Sequence, residues 1–314
     1  MKKIAVHSES FHADDAISVY LLKHTAEFKD AEIIRTRDMN IINQCDAAAD
    51  VGCEYDHEKR RYDHHQQGFD VKFPGSNIRC AAAGLVYIHF GKEVLQNLIQ
   101  KFNLDVGNYF DFVYNAMYYN FIQEIDAIDN GISIVDEQTD KSYNISSDIS
   151  SRVAILNPHW RTPNPNPDLQ FTKAIQLVGD EFETLLKHVV KHWIEGFATF
   201  KEAYENRFNY DKSGKIIFLP NQPFVHYFLR EFGDDFEGVF FVAQNNKGCS
   251  VKSIPYFNQP FKYRKYLPFA GEDPKEIEKK TNTHGVLFSH KSGFLIVYSS
   301  EEEAHKFAKF ALEN

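Results

Sequence analysis

An aspartate followed directly by two histidines, Asp63-His64-His65, is the segment of this sequence best equipped for chemistry. Two upstream segments carry the same side-chain types, and their candidate metal ligands are His7, His12, Asp14 and Asp50. Imidazole and carboxylate ligands together favour ions such as Mn²⁺, Mg²⁺ or Co²⁺ over sulfur-seeking metals. The three segments therefore predict a divalent-metal site that acts on a phosphate ester.

Two divalent ions about 3.5 to 4 Å apart can bind an attacking water and the phosphate oxygens together. Such a pair needs a bridging carboxylate, and Asp50 is the candidate because a buried carboxylate is costly without a cation or hydrogen-bond donors. An acid at the end of a later helix, Asp126 or Asp129, could complete the site. His65 is then free to contact the phosphate or to donate a proton, and the catalytic candidates are His65 and Asp63.

Each of these residues also has an ordinary structural interpretation. A single loop histidine is more often a surface side chain than a metal ligand, and Asp50 alone could be a turn or cap residue. Acids before a glycine, such as Asp126 and Asp129, are also common where a helix ends. The presence of all three segments in one half of the chain favours the metal interpretation.

Composition limits the class of protein. A chain of 314 residues with 43% hydrophobic residues predicts a globular protein of two domains. The formal net charge of −9 gives no general attraction to nucleic acid. A polyanionic substrate would therefore need a local basic patch or bound metal. The four cysteines form no CxxC pair, so neither a zinc knuckle nor a disulfide framework is indicated.

The sequence shows no signal-peptide or transit-peptide pattern and no apolar run near the roughly 18 to 20 residues of a membrane span. We therefore expect a soluble, cytoplasmic protein with no membrane partner, and a nuclear or organellar pool stays open. A homo-oligomer also stays open.

Alternating strand-like and helix-like runs fill the first half of the chain. The strands are expected at 4–6, 32–36 and 46–52, and the helices at 14–24, 81–90 and 105–128. This alternation predicts a mainly parallel sheet flanked by helices, whose ligands gather at the carboxyl ends of its strands. A Pro- and Asn-rich loop at 157–167 then precedes helices at 168–190 and 192–208.

Short apolar runs after residue 215 indicate strands, and a final helix is expected at 300–312. The sequence thus predicts an α/β protein whose smaller C-terminal domain is α+β. The expected boundaries are 1–190 for the metal-binding catalytic domain, 191–213 for a linking helix and 214–314 for the C-terminal domain.

Motifs of one known family run through nearly the whole chain. They are HSESFHADDA at 7–16, RTRD at 35–38, DVGCEYD at 50–56, RYDHHQQGF at 61–69, AAAGLVYIHFGKE at 81–93, EIDAIDNGI at 124–132, RVAILNPHW at 152–160 and FSHKSGF at 288–294. With these motifs the sequence resembles the DHH phosphoesterase superfamily, and more closely its melanocyte-proliferating-gene (MYG) exonuclease branch.

The resemblance implies a DHH-type catalytic domain, a smaller substrate-binding domain and a cleft between them. It also implies 3′-to-5′ exonuclease activity on RNA. The chain departs from the superfamily at His12, where an aspartate is common. It departs again in the C-terminal domain, where only the stretch 290–294 resembles the superfamily's glycine-rich segment.

Cations of the C-terminal domain are the candidates for binding substrate phosphate, namely Arg264, His290 and Lys291. The leading hypothesis is a phosphodiesterase that uses two divalent ions, with Mn²⁺ favoured, to trim RNA or short oligonucleotides. A phosphatase or pyrophosphatase acting on a small molecule is a second hypothesis, because the same metal chemistry serves any phosphoryl ester. A third is a non-catalytic metal- or nucleotide-binding module.

Overall fold

The computed structural model describes residues 1–135, 143–221, 228–233, 235–257 and 259–314. These residues divide into two compact units, Met1–Lys191 and His192–Asn314. Both units combine helices with a five-stranded sheet. The mixed α/β class predicted from the sequence is therefore confirmed, whereas the three predicted domain ranges stay a prediction.

The first unit is built on a mainly parallel sheet. Its strands are β1 (Lys3–Val6), β2 (Glu32–Arg35), β3 (Ala47–Ala49), β4 (Tyr55–Asp56) and β5 (Arg61–Tyr62), in the order β2-β1-β3-β5-β4. The pairs β1–β2, β1–β3 and β3–β5 are parallel, and only the edge strand β4 runs antiparallel to its neighbour. Strands β1, β3 and β5 therefore end at the same edge, directly before His7, Asp50 and Asp63.

Seven helices accompany this sheet in the described part of the first unit. They are α1 (Ala13–Lys23), α2 (Met39–Ile42), α3 (Ala82–Lys101), α4 (Phe110–Met117), α5 (Gln123–Asp129), α6 (Ile149–Ala154) and α7 (Pro167–His188). Helix α1 packs against α3, α5, α6 and α7, and its residues Ala13 to Leu22 are all buried. It therefore lies in the core.

The predicted helix at 105–128 differs from the structure at both its start and its middle. Helix α4 begins only at Phe110, because Asp105 accepts a hydrogen bond from the Gly107 amide and Gly107 has a φ of +47°. A π-helical turn, Tyr118–Ile122, then separates α4 from α5. The helix predicted at 81–90 extends eleven residues further, to Lys101.

The second unit contains a mainly antiparallel sheet. Its helices are α8 (Ile194–Glu205), α9 (Arg207–Tyr210), α10 (Pro274–Thr281) and α11 (Glu301–Glu313), with a short 3₁₀ helix at Leu229–Phe232. Its strands are β6 (Ile216–Leu219), β7 (Phe240–Asn245), β8 (Gly248–Ser253), β9 (Pro255–Tyr256), β10 (Gln259–Tyr263), β11 (Val286–Ser289) and β12 (Leu295–Tyr298).

The five-stranded sheet of this unit has the order β11-β12-β8-β7-β6, and only β6 and β7 pair in parallel. Strands β9 and β10 form a separate antiparallel pair. The final helix α11 begins as predicted, because the Ser300 hydroxyl accepts a hydrogen bond from the Glu303 amide. No helix among the described residues is long and apolar enough to span a bilayer.

Candidate metal centre

The loop after β1 brings one histidine between two carboxylates. His7 is buried, and its Nε2 lies 3.2 Å from Asp15 Oδ2 and 3.2 Å from Asp50 Oδ2. The Asp15 Oδ1 atom accepts a hydrogen bond of 3.0 Å from the His12 amide just before α1. The first turn of α1 therefore fixes this loop and presents a second acid, Asp14, beside Asp15.

Asp50 follows β3 in a backbone conformation that is uncommon for a residue other than glycine. Its φ is +55°, in the left-handed region that aspartate tolerates better than most residues. Its amide donates to the Tyr62 carbonyl, and only 5% of the residue is exposed. A buried acid in a sparsely populated conformation, held in place by a neighbouring strand, is typical of functional sites.

Asp63 orients the second histidine of the pair. Its Oδ2 accepts from the Cys53 amide at 2.7 Å, and its Oδ1 accepts from both the amide and Nδ1 of His65, at 3.0 and 2.7 Å. Asp63 is buried, whereas 57% of the His65 side chain is exposed. The carboxylate thus fixes an imidazole ring that solvent or a ligand can reach.

His64 faces the interior of the site. Its Nε2 lies 3.0 Å from Asp129 Oδ2 and 3.7 Å from Asp50 Oδ1, and its Nδ1 lies 3.2 Å from Asn130 Oδ1. Arg79 holds Asn130, because its Nε donates to Asn130 Oδ1 at 2.7 Å and its carbonyl accepts from Asn130 Nδ2. No sequence pattern marks Asn130 as an orienting residue, although it directly follows Asp129.

The two acids left open near the end of α5 have different surroundings. Asp126 accepts from the amides of Ala81 and Gly84, both at 2.9 Å, and from the Tyr118 hydroxyl at 3.0 Å. A Cβ at Gly84 would lie 2.3 Å from Asp126 Oδ2, so glycine makes this close approach possible. Asp126 therefore caps the start of α3, and Asp129 is the acid that faces His64.

Asp14 also accepts hydrogen bonds from backbone amides at the start of α3. Its two carboxylate oxygens accept from the amides of Ala82 and Ala83, at 3.1 and 2.7 Å. The same side chain lies close enough to Asp50, His64 and Asp129 to share a metal ion with them.

Three overlapping groups of potential ligands result. In each group, ligand atoms lie within 4.8 Å of one another, and the groups are His7, His12 and Asp50; Asp14, Asp50, His64 and Asp129; and Asp50, Asp63, His64 and His65. Asp50 belongs to all three groups found among the described residues. They bring together every predicted metal residue except Asp126, together with both catalytic candidates.

Burial makes two carboxylates of this cluster hard to ionise. Burial raises the pKa of Asp15 to about 7, and the nearby charge of Asp50 adds to that effect while His7 opposes it. Burial and the charges of Asp129 and Asp50 likewise raise the pKa of Asp14 well above its usual value. These carboxylates are therefore costly to ionise in the metal-free chain.

The imidazoles carry the compensating protons. Burial disfavours the charged form of His64, yet its contacts with Asp129 and Asp50 raise its pKa to about 11. The pKa of Asp50 is lowered in spite of its burial, because His64 and His7 both contact it. The protonated His64 ring therefore supplies a positive charge inside this site.

Three buried atoms of the cluster lack a hydrogen-bond partner of acceptable geometry, namely Asp15 Oδ2, Asp50 Oδ1 and His64 Nε2. Buried polar atoms without partners are rare and costly. A divalent cation would satisfy carboxylate oxygen and imidazole nitrogen together. The residues present therefore fit a metal ion.

The substrate candidates of the second unit lie in two places. The Arg264 guanidinium donates to the Phe236 carbonyl and packs over the Phe236 and Tyr256 rings. His290 and Lys291 lie in the turn between β11 and β12, where His290 Nδ1 accepts from the Ser292 amide and Lys291 is exposed. Arg264 is thus engaged in the fold of its own unit, whereas Lys291 is accessible.

Comparison with known proteins identifies the family. A family model described as "Uncharacterised protein family (UPF0160)", with the label MYG1_exonuc, matches residues 3–312. The chain belongs to the MYG1 family. This confirms the MYG part of the resemblance drawn from the motifs.

Curated relatives agree over nearly the full length. A protein of Caenorhabditis elegans named "MYG1 protein C27H6.8" is 35% identical, and the match covers 99% of this chain and 95% of that relative. Proteins named "MYG1 exonuclease" from Mus musculus and Homo sapiens are each 34% identical, with 99% of this chain and 84% and 85% of those relatives covered. No solved structure matches the chain.

Proposed function

We propose that the chain is a divalent-metal-dependent phosphodiesterase of the DHH type, which acts as a 3′-to-5′ exoribonuclease on RNA or short oligonucleotides. The observation that carries this proposal is the set of ligand groups that share the buried Asp50. The name "exonuclease" of the Mus musculus and Homo sapiens relatives supports the reaction class.

The proposed centre holds two ions, and Mn²⁺ is favoured, with Mg²⁺ or Co²⁺ as alternatives, because its ligands mix imidazole and carboxylate. One ion would be held by His7, His12 and Asp50, and the other by Asp14, Asp50, His64 and Asp129. When bound, such ions lower the pKa of a water molecule and shield the charge of the phosphate. Asp50 is the proposed bridge, and Asn130 keeps the His64 ring turned toward the site.

His65 and Asp63 are the proposed catalytic pair. The bond of 2.7 Å from His65 Nδ1 to Asp63 Oδ1 fixes the ring and leaves Nε2 as the atom that can exchange a proton with substrate. The exposure of the His65 side chain supports this role, since a substrate oxygen can reach it. His65 would hold a proton at Nε2 and deliver it to the departing ribose oxygen.

We assign substrate binding to the second unit. Lys291 and His290, on the turn between β11 and β12, are proposed to bind substrate phosphate. Arg264 is proposed to assist this binding in a lesser role, since its guanidinium is already hydrogen-bonded to the Phe236 carbonyl.

Hydrolysis of a small phosphate or pyrophosphate compound is the second candidate function. The net charge of −9 favours it, because the chain offers RNA no general electrostatic attraction. The two functions use the same centre and differ in the length of the substrate.

A digestion of 5′-labelled RNA oligonucleotides with Mn²⁺, beside dinucleotides and pyrophosphate, tests the proposal. Wild type should shorten the RNA one nucleotide at a time from the 3′ end, and His64→Ala should not. His284→Ala, which changes an exposed histidine outside the ligand groups, is the matched control and should behave like wild type. Turnover of the small compounds alone would move the function to the second candidate.

A further inference from the structure

An apolar cavity of about 960 Å³ adjoins the candidate metal centre within the first unit. His12, Asp14 and Asp129 belong both to its wall and to the ligand groups. Its volume lies at the upper end of the range of about 300 to 1,000 Å³ that small-molecule sites occupy. A ligand that binds the metal centre through one group could therefore place another group in this cavity.

Isoleucine is the commonest residue type in the described wall of the cavity. Ile128, Ile132, Ile134 and Ile145 line the cavity, and they are 44%, 38%, 84% and 53% exposed. Tyr143, which is 76% exposed, adds an aromatic ring to the same wall. Large apolar side chains grouped at a surface are unusual unless a ligand or partner covers them.

The described lining of the cavity offers a phosphate no lysine or arginine. Its charged side chains are the carboxylates of Asp14, Glu124, Asp129 and Asp148, and no lysine or arginine occurs among the lining residues that the structure describes. A second phosphate would find no cationic partner among these residues, whereas a neutral and flat group would lose little by leaving water. A ligand with both groups would thus place its phosphate at the metal centre and its apolar group in the cavity.

We infer that this cavity binds the nucleobase of the nucleotide whose phosphate lies at the metal centre. The inference rests on the proposed function and specifies its substrate, because a nucleotide is the ligand that joins a phosphate to a flat, neutral ring. Stacking of a base on an aromatic side chain tolerates any of the four bases. The cavity therefore selects for the presence of a base rather than for its identity.

Binding without turnover is the first test. Adenosine and ribose 5-phosphate are titrated calorimetrically into three metal-free proteins. These are wild type, a double variant that combines Ile134→Ser and Ile145→Ser, and the control variant Ile155→Ser. Ile155 is 76% exposed and does not line the cavity. Adenosine should bind wild type and control equally and the double variant about tenfold more weakly. Equal adenosine affinity in all three proteins would overturn the inference.

Turnover separates this inference from the proposed function. RNA oligonucleotides with a normal or an abasic terminal residue are digested with Mn²⁺. Wild type should have a KM about tenfold lower for the normal substrate than for the abasic one, and the double variant should lose this preference. If wild type cleaves the normal and the abasic RNA equally well, the cavity assignment is overturned and the proposed exonuclease activity is not. Cavity-dependent adenosine binding without any RNA cleavage would support the cavity and contradict the exonuclease.

Discussion

At the scale of single residues, Asp50 is the position on which the proposed chemistry depends most. It contacts His7 and His64 and belongs to every ligand group found in the described residues. We expect Asp50→Asn to weaken Mn²⁺ binding and lower kcat by about a hundredfold or more, since even outer-shell partners of a metal are worth about 10- to 100-fold. Asparagine also tolerates a positive φ, so the fold should persist.

Calorimetric titration with Mn²⁺ and circular dichroism measure these two effects. Asp70→Asn is the matched control, because Asp70 is an exposed acid that pairs only with Lys72 in the described structure. Near-normal Mn²⁺ affinity in Asp50→Asn would refute the bridging role.

The two acids of α5 are expected to separate stability from metal binding. Asp126→Ala would leave the amides of Ala81 and Gly84 without an acceptor and should lower the free energy of unfolding by about 2 to 4 kcal/mol. Asp129→Ala should instead weaken Mn²⁺ binding by about a hundredfold at a smaller loss of stability. Urea unfolding and Mn²⁺ titration of both variants decide this. Comparable losses of Mn²⁺ affinity in the two variants would contradict the assignment.

The sequence could not separate these two acids, for a physical reason. Positions three apart in a helix lie on the same side of it, so the pattern places Asp126 and Asp129 together. The two acids differ because the backbone amides at the start of α3 donate hydrogen bonds to Asp126. Those contacts join residues more than forty positions apart in the sequence. Asn130 was missed for a similar reason, because its role depends on contacts with the distant residues His64 and Arg79.

At the scale of elements, the sequence predicts the part of the site that strands determine. The apolar runs directly before His7 and Asp50 form paired parallel strands, and parallel strands bring their ends to one edge. The parallel strand before Asp63 is only Arg61–Tyr62, which is not an apolar run. Contacts that fix loops to helices were beyond the sequence. The clearest of them concerns Arg35, at the end of β2.

Arg35 ties the loop that carries His7 and His12 to α7. Its Nη2 donates to the Glu9 carbonyl at 2.6 Å, its Nη1 donates to Asp168 at 3.1 Å, and its guanidinium packs over the rings of Phe11 and Phe171. Glu9 has a φ of +73°, which an unsupported loop would not favour. Arg35 should therefore hold His7 and His12 in place without touching a metal.

We expect Arg35→Met to weaken Mn²⁺ binding about tenfold and to lower the free energy of unfolding by about 1 to 2 kcal/mol, because methionine keeps part of the packing but loses both hydrogen bonds. Arg37→Met, two residues away at an exposed position, is the control. Mn²⁺ titration and urea unfolding are the measurements. Unchanged Mn²⁺ affinity in Arg35→Met would show that the loop keeps its shape without this anchor.

At the scale of the whole molecule, the proposed metal chemistry belongs to one unit. Every candidate metal ligand lies in Met1–Lys191, and the candidate phosphate-binding cations lie in His192–Asn314. The sequence predicted the strands of the second unit only in part. Apolar runs predicted β6, β7, β11 and β12. Strand β8 (GCSVKS) instead mixes polar and apolar residues, and it is stabilised by pairing with β7 on one side and β12 on the other.

The protonation of the metal-free cluster links the stability of the whole molecule to pH. The folded-state pKa of Asp15 is raised to about 7 and that of His64 to about 11. A group with a raised folded-state pKa stabilises the fold below its unfolded pKa and loses that contribution as pH rises through the folded value. The metal-free chain should therefore lose stability at this site as pH rises from the ordinary Asp15 pKa of 3.8 to the folded-state value of about 7.

Mn²⁺ should reverse this trend, because a bound ion replaces the protons. Displacing one proton from His64 raises the apparent affinity about tenfold per pH unit, and therefore about a hundredfold from pH 6 to pH 8. At 100 times its Kd the ion should add about 2.7 kcal/mol to the free energy of unfolding. Thermal unfolding with Mn²⁺ or with a chelator at pH 6, 7 and 8 measures the effect, with Asp50→Asn as the control. A stabilisation by Mn²⁺ that does not grow with pH would show that the ion binds without displacing these protons, and so outside this cluster.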